Sequence, residues 1–149
     1  MTGIKLIDRN LPTITEILKQ RKVLFAYVFG SQVDGNIGKL SDIDIGVYLK
    51  NPADNFQSRL ELMDKLGRLL KKDKIDVVVL NDAESSLVKE IIVNGKLILD
   101  RNIIIRLIFE RKNLQTREDM NYFQQVFYQA LKERIKNNKM GEFYGRKNN

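Results

Sequence analysis

Apolar positions along this chain recur with a period that switches repeatedly between that of a helix and that of a strand. After Pro12, Ile14, Ile17 and Leu18 recur at helical spacing and run out at Gln20-Arg21-Lys22, which predicts one short amphipathic helix. Val23 to Phe29 is a β-rich apolar run closed by Gly30 and reads as a buried strand. Residues 31–41 are polar, contain Gly35 and Gly38, and suit a turn or short helix followed by a loop. Asp42 to Leu49 alternates charged and apolar side chains and reads as a second strand. Pro52 to Asn55 opens a helix on which Phe56, Leu60, Met63, Leu66, Leu69 and Leu70 form an apolar stripe. Ile75 to Leu80 is a third strand, closed by Asn81-Asp82. Ser85 to Asn94 follows as a helix with Gly95 at its C-terminal cap, and Lys96 to Leu99 as a short fourth strand. From Ile103 the pattern is helical, with Ile104, Leu107 and Ile108, then Met120, Phe123, Val126, Phe127, Leu131 and Ile135 on one stripe. Thr116 and Asp119 have the spacing of a capping box, which would divide this stretch into two helices.

Strands alternating with helices place the chain in the α/β (α+β) class. Its 149 residues suit one domain, and no repeat or linker interrupts it. The expected organisation is a single domain over residues 1–136, including C-terminal helices from about 103, with a polar, mobile tail at 137–149. The start, MTGIKLIDRNLPTITEIL, lacks the apolar core of a secretory leader, and nowhere do the apolar residues run long enough to span a bilayer. A soluble, cytoplasmic protein with no membrane partner is expected.

Composition narrows the chemistry. With no cysteine, disulfides and thiolate metal sites are excluded; with no histidine, so are histidine-based triads and zinc sites, which leaves carboxylates for acid-base or metal work. The net charge of +7 is concentrated towards the C-terminus, where residues 100–149 carry 11 basic and 6 acidic side chains. A basic face suits a nucleotide polyphosphate, nucleic acid or an acidic partner, and equally a solubilising surface.

Three acidic residues stand where a solvated charge has no obvious purpose. Asp42 and Asp44 lie two apart in a strand, so their carboxylates share one face. Two like charges at that distance repel unless a cation lies between them. Magnesium fits, because it takes hard oxygen ligands and pairs one or two carboxylates with substrate phosphates. Asp76 is a lone charge in the β-branched run Ile75 to Leu80, costly there unless paired or ligating. If its strand neighbours that of Asp42 and Asp44, the three converge and could hold two metals, with Asp76 binding or orienting the nucleophile. Gly30-Ser31 ends the preceding strand: the glycine lets backbone approach a phosphate, and the serine hydroxyl can donate to it. Taken singly, Gly-Ser is an ordinary turn, Asp42 a cap, Asp-x-Asp a wet strand face and Asp76 a strand-end charge; their order and spacing carry the argument.

Gly30-Ser31, ten residues, then Asp42-Ile43-Asp44 resembles the signature of the DNA polymerase beta-like nucleotidyltransferases. Tyr27 to Ser31, Gly35, Ser41 to Ile45, Asp76 to Asn81 and Glu90-Ile91 to Gly95 are similar to the small MNT-type, or MntA-like, members. The resemblance implies a small mixed β-sheet flanked by helices. It also implies Asp42, Asp44 and Asp76 as catalytic carboxylates on magnesium, with Gly30 and Ser31 on the triphosphate of ATP. MNT-type proteins are typically the antitoxin of a pair, transferring AMP to a tyrosine of a helical HEPN toxin. Many relatives carry arginine after the Gly-Ser pair, where this chain has Gln32; Lys39 is one substitute for that charge.

Protein adenylyl transfer to a HEPN-type partner is therefore the leading expectation. A small-molecule nucleotidyltransferase of the antibiotic-modifying kind would use the same site but normally adds a substrate domain for which this chain has little room. A non-catalytic antitoxin acting by contact is a third reading, favoured by Gln32 and opposed by the complete aspartate set. Nucleic-acid binding would rest on basic and aromatic residues of the C-terminal third, yet Phe123 and Phe127 lie four apart on the apolar stripe, as core or partner-facing residues do. Excess apolar surface over residues 103–135 would mark a homo-oligomer or heterocomplex interface.

Overall fold

The computed structural model describes residues 3–30, 43–114 and 117–137. Two compact units divide the chain, Met1–Arg101 and Asn102–Asn149.

In the first unit, helices α1 (Gly3–Arg9) and α2 (Leu11–Gln20) precede strand β1 (Val23–Phe29). Strand β2 (Ile43–Leu49) leads through a 3-10 turn at Pro52–Asp54 into helix α3 (Asn55–Leu70) and strand β3 (Ile75–Val79). A second 3-10 turn (Leu80–Asp82), helix α4 (Ser85–Asn94) and strand β4 (Lys96–Asp100) complete it. The strands form one mixed sheet in the order β3-β2-β1-β4. β1 runs antiparallel to both β2 and β4, whereas β2 and β3 are parallel, as their connection through a helix requires.

Alternation along the strands separates two faces. Val23, Ala26 and Val28 of β1, Ile43, Ile45, Val47 and Leu49 of β2, and Ile75, Val77 and Val79 of β3 are buried in one apolar cluster. Ile7 of α1, Ile14 and Leu18 of α2, and Leu62, Leu66 and Leu70 of α3 complete that cluster. Each such side chain removed from water contributes about 1.5–3 kcal/mol, so this layer fixes the register of the strands above it. On the opposite face Phe25 and Tyr48, cross-strand partners of β1 and β2, stack with ring centroids 4.7 Å apart. Further along, Gly46 leaves room for Leu80 and Ile91, which a side chain there would crowd. Asn81 extends β2 by exchanging two hydrogen bonds with Leu49: the Leu49 N–H donates to its Oδ1 at 2.8 Å, and its Nδ2 donates to the Leu49 carbonyl at 2.9 Å.

The predicted strands and helices of this unit are present, with four differences. α1 was not anticipated: it has only two turns and no acidic residue in its first turn to announce it. The third strand ends at Val79, because Leu80 already turns into the 3-10 segment, while the fourth continues to Asp100. On α3 the period is right but the face is rotated. The buried positions are Ser58, Leu62, Leu66 and Leu70, while Phe56 is 70% and Leu60 44% exposed. Sheet packing selects the i, i+4 row, and the N-terminal apolar residues fall outside it.

The second unit contains helices α5 (Ile103–Asn113) and α6 (Arg117–Lys136), so the C-terminal stretch is two helices. Asn102 caps α5, its Oδ1 accepting from the Ile105 N–H at 3.1 Å. Ile104 and Leu107 are buried as predicted, but Ile108 and, on α6, Ile135 are exposed. The Arg106 guanidinium donates to Glu110 at 2.7 Å one turn further on, with both side chains nearly out of solvent. Phe123 stacks with Phe127 and carries Arg111 over its ring. The Thr116–Asp119 capping box lies outside what is described, as does the tail beyond residue 137. Among the described residues no helix is long and apolar enough to cross a membrane.

Candidate active site

The parallel ladder sets Asp44 of β2 directly beside Asp76 of β3. Both residues fall on the face opposite the core cluster, since their neighbours Ile43, Ile45, Ile75 and Val77 are the buried ones. Adjacent strands are about 4.8 Å apart, so two carboxylates at paired positions on one face lie within reach of a single cation. This is the strand adjacency on which the convergence of the sequence candidates depends.

On its other side Asp44 pairs with Phe29, the last residue of β1. The next residue, Gly30, turns with φ 82°, a left-handed conformation that favours glycine. The Asp44 carboxylate occupies the space that a side chain at residue 30 would fill, so its Oδ2 rests against the glycine backbone. Gly30, Asp44 and Asp76 are thus brought together in sequence along three adjacent strands. Ser31 and Asp42, the other two candidates, lie outside the described residues, as do Gln32 and Lys39. Among the described residues no three acidic side chains gather.

Asp76 has a partner that the sequence did not reveal. Arg59 of α3 donates through Nε to the Val77 carbonyl at 2.7 Å and through Nη2 to Asp76 Oδ1 at 3.2 Å. The first bond anchors the guanidinium to the outer edge of β3, and the second holds one carboxylate oxygen. With the two side chains 41% and 50% exposed, this ion pair adds little stability, at most about 1 kcal/mol. Its effect is orientation. Nothing in a single sequence couples two residues on different elements, so no sequence signal singles out Arg59.

A sheet that sets carboxylates from adjacent strands beside a glycine turn defines a nucleotidyltransferase-type protein. The chain belongs to the polymerase beta nucleotidyltransferase family, whose model matches residues 12–104. It is 36% identical over 93 residues to the protein adenylyltransferase MntA of Shewanella oneidensis. That match covers 62% of this chain and 59% of the relative, so the chain spans about three-fifths of the length of that curated protein. Two solved structures extend the likeness in space. A toxin-antitoxin crystal structure with AMP-PNP superposes with a TM-score of 0.61 at 29% identity, covering 85% of this chain and 98% of that one. A chain of the structure of tri-AMPylated Shewanella oneidensis HEPN toxin in complex with MNT antitoxin gives a TM-score of 0.56 at 27% identity, over 86% of this chain and 97% of that one.

Proposed function

We propose that this chain is a magnesium-dependent protein adenylyltransferase that moves AMP from ATP to a tyrosine hydroxyl of a HEPN-type toxin and so acts as its antitoxin. The observation that carries the reading is the register of Asp44 with Asp76 beside the Gly30 turn. It is supported by membership of the nucleotidyltransferase family and by likeness to a protein named as an adenylyltransferase and to a complex holding an AMPylated HEPN toxin.

The donor set suits magnesium: paired hard oxygen ligands on a solvent-accessible sheet face, with no histidine or cysteine to favour a softer metal. Asp42, Asp44 and Asp76 would hold it, and once bound it would neutralise the triphosphate and polarise the reacting phosphoryl group. Gly30 and Ser31 receive the phosphates, the glycine by allowing close backbone approach and the serine by donating its hydroxyl. Asp76, anchored by Arg59, orients the acceptor hydroxyl and takes its proton. The acceptor oxygen bonds to the α-phosphorus of ATP, the bond between the α-phosphorus and the bridging oxygen breaks, and pyrophosphate leaves. The protein works in the cytoplasm, where ATP and magnesium are abundant.

Labelled ATP tests this. With the label on the α-phosphorus, radioactivity is expected on a co-purified helical partner in the presence of magnesium; with the label on the γ-phosphorus, none. Transfer of the γ-label would make the protein a kinase and overturn the reading.

A further inference from the structure

Beside the candidate site, the open edge of the sheet carries a groove. β3 is the terminal strand, and a cavity of about 430 Å3 lies against it, lined by Phe56 and Arg59 of α3, Val78 of β3, Asp82, Glu84 and Leu87. Two features set it apart from ordinary surface. Phe56 is 70% and Leu87 38% exposed, so the groove presents apolar side chains to solvent where the core layer makes no use of them. Its rim is acidic in a chain of net charge +7. Asp82 accepts from Asn55 and Glu84 from Ser86, but neither carboxylate meets a cation among the described residues.

The groove is continuous with the site. Arg59 lines it and holds Asp76, and Val78 lies two residues beyond Asp76 on the same face of the same strand. A group seated against Phe56, Val78 and Leu87 therefore lies next to the carboxylate assigned to the acceptor hydroxyl.

We propose that this groove seats the acceptor segment of the protein substrate, a stretch bearing its hydroxyl on an aromatic side chain and flanked by lysine or arginine. The volume and the apolar walls take an aromatic ring, and Asp82 and Glu84 pair with the flanking cations. The same carboxylates repel a triphosphate, which leaves the donor nucleotide to the Gly30 side of the sheet. The inference rests on the adenylyl-transfer reading and names the side from which the acceptor enters.

The test uses a defined probe, the peptide acetyl-Arg-Lys-Ala-Tyr-Lys-Arg-amide, beside a counterpart with glutamate at each basic position. Amide NMR of the full chain is expected to show shifts at Phe56, Val78 and Leu87 with the cationic peptide and not with the acidic one. The dissociation constant should rise at least about tenfold in the Asp82→Lys/Glu84→Lys protein and in Phe56→Ser, whose exposed position spares the fold. Binding of AMP-PNP with magnesium should be the same in Phe56→Ser as in the parent. Absence of shifts at these amides, or equal peptide binding by the charge-reversed protein, would overturn the proposal. So would weakened AMP-PNP binding in Phe56→Ser, which would make the cavity a nucleoside pocket. If the peptide maps to the groove but receives no label from α-labelled ATP, while a co-purified partner also receives none, the adenylyl-transfer reading fails and the cationic-segment docking surface stands.

Discussion

Asp44 and Asp76 are register partners across the one parallel pairing in the described sheet, with Gly30 packed on the far side of Asp44. Parallel pairing forces α3 between the two strands in sequence, so the helix that delivers β3 also delivers Arg59 to its edge. The same chain segment places the third carboxylate and fixes its orientation.

Replacing Asp44 by asparagine removes a metal-binding charge without changing shape. Transfer is expected to fall by about a thousandfold or more, since the charge stabilisation lost in the transition state amounts to several kcal/mol. The melting temperature should stay level or rise slightly, because repulsion between neighbouring carboxylates is relieved. A kinetic assay paired with a thermal melt checks both; retained transfer would remove Asp44 from the site.

Gly30→Ala meets two penalties. The left-handed φ of 82° costs a residue with a side chain about 1–2 kcal/mol, and the added carbon enters the space of the Asp44 carboxylate. Denaturant unfolding is expected to register the first, and loss of transfer well beyond that stability change to register the second. A variant destabilised but fully active would show that the Asp44 position has no bearing on turnover.

Lys71, just past the end of α3, also adopts a left-handed conformation, with φ 53°. Glycine at this position should relieve the strain. Lys71→Gly is expected to raise stability by about 0.5–1 kcal/mol, read as a higher urea midpoint with unchanged transfer.

In the second unit the Arg106–Glu110 pair is nearly buried, the two side chains 10% and 5% exposed. Glu110→Ala removes a charge partner from a nearly buried guanidinium and should cost about 3 kcal/mol, visible as loss of helix signal at lower temperature. A cost below about 1 kcal/mol would place the pair with ordinary surface bridges.

Much of this was legible in the sequence because core burial writes itself as periodicity. The strands ending at Phe29 and Leu49 were found to the residue at those ends, and the alternation in the second already set Asp42 and Asp44 on one face. The adjacency of Asp44 and Asp76 was readable only as a condition, since the pairing of β2 with β3 is a property of the sheet. What escaped has physical causes. α1 is too short to show a period, and its stability comes from docking Ile7 into the core. The exposure of Phe56 and Leu60 was hidden because an apolar stripe does not reveal which of two overlapping rows the sheet will cover. Arg59 was silent because its two partners, Asp76 and the Val77 carbonyl, lie on another element.

The most direct measurement of the central claim is the intact mass of every chain after incubating the protein, co-purified with a helical HEPN-type partner, with ATP and magnesium. The account predicts one or more AMP-sized additions on the partner, absent when Asp44→Asn replaces the parent chain. A stable complex whose chains all keep their original mass would contradict it and leave neutralisation by contact.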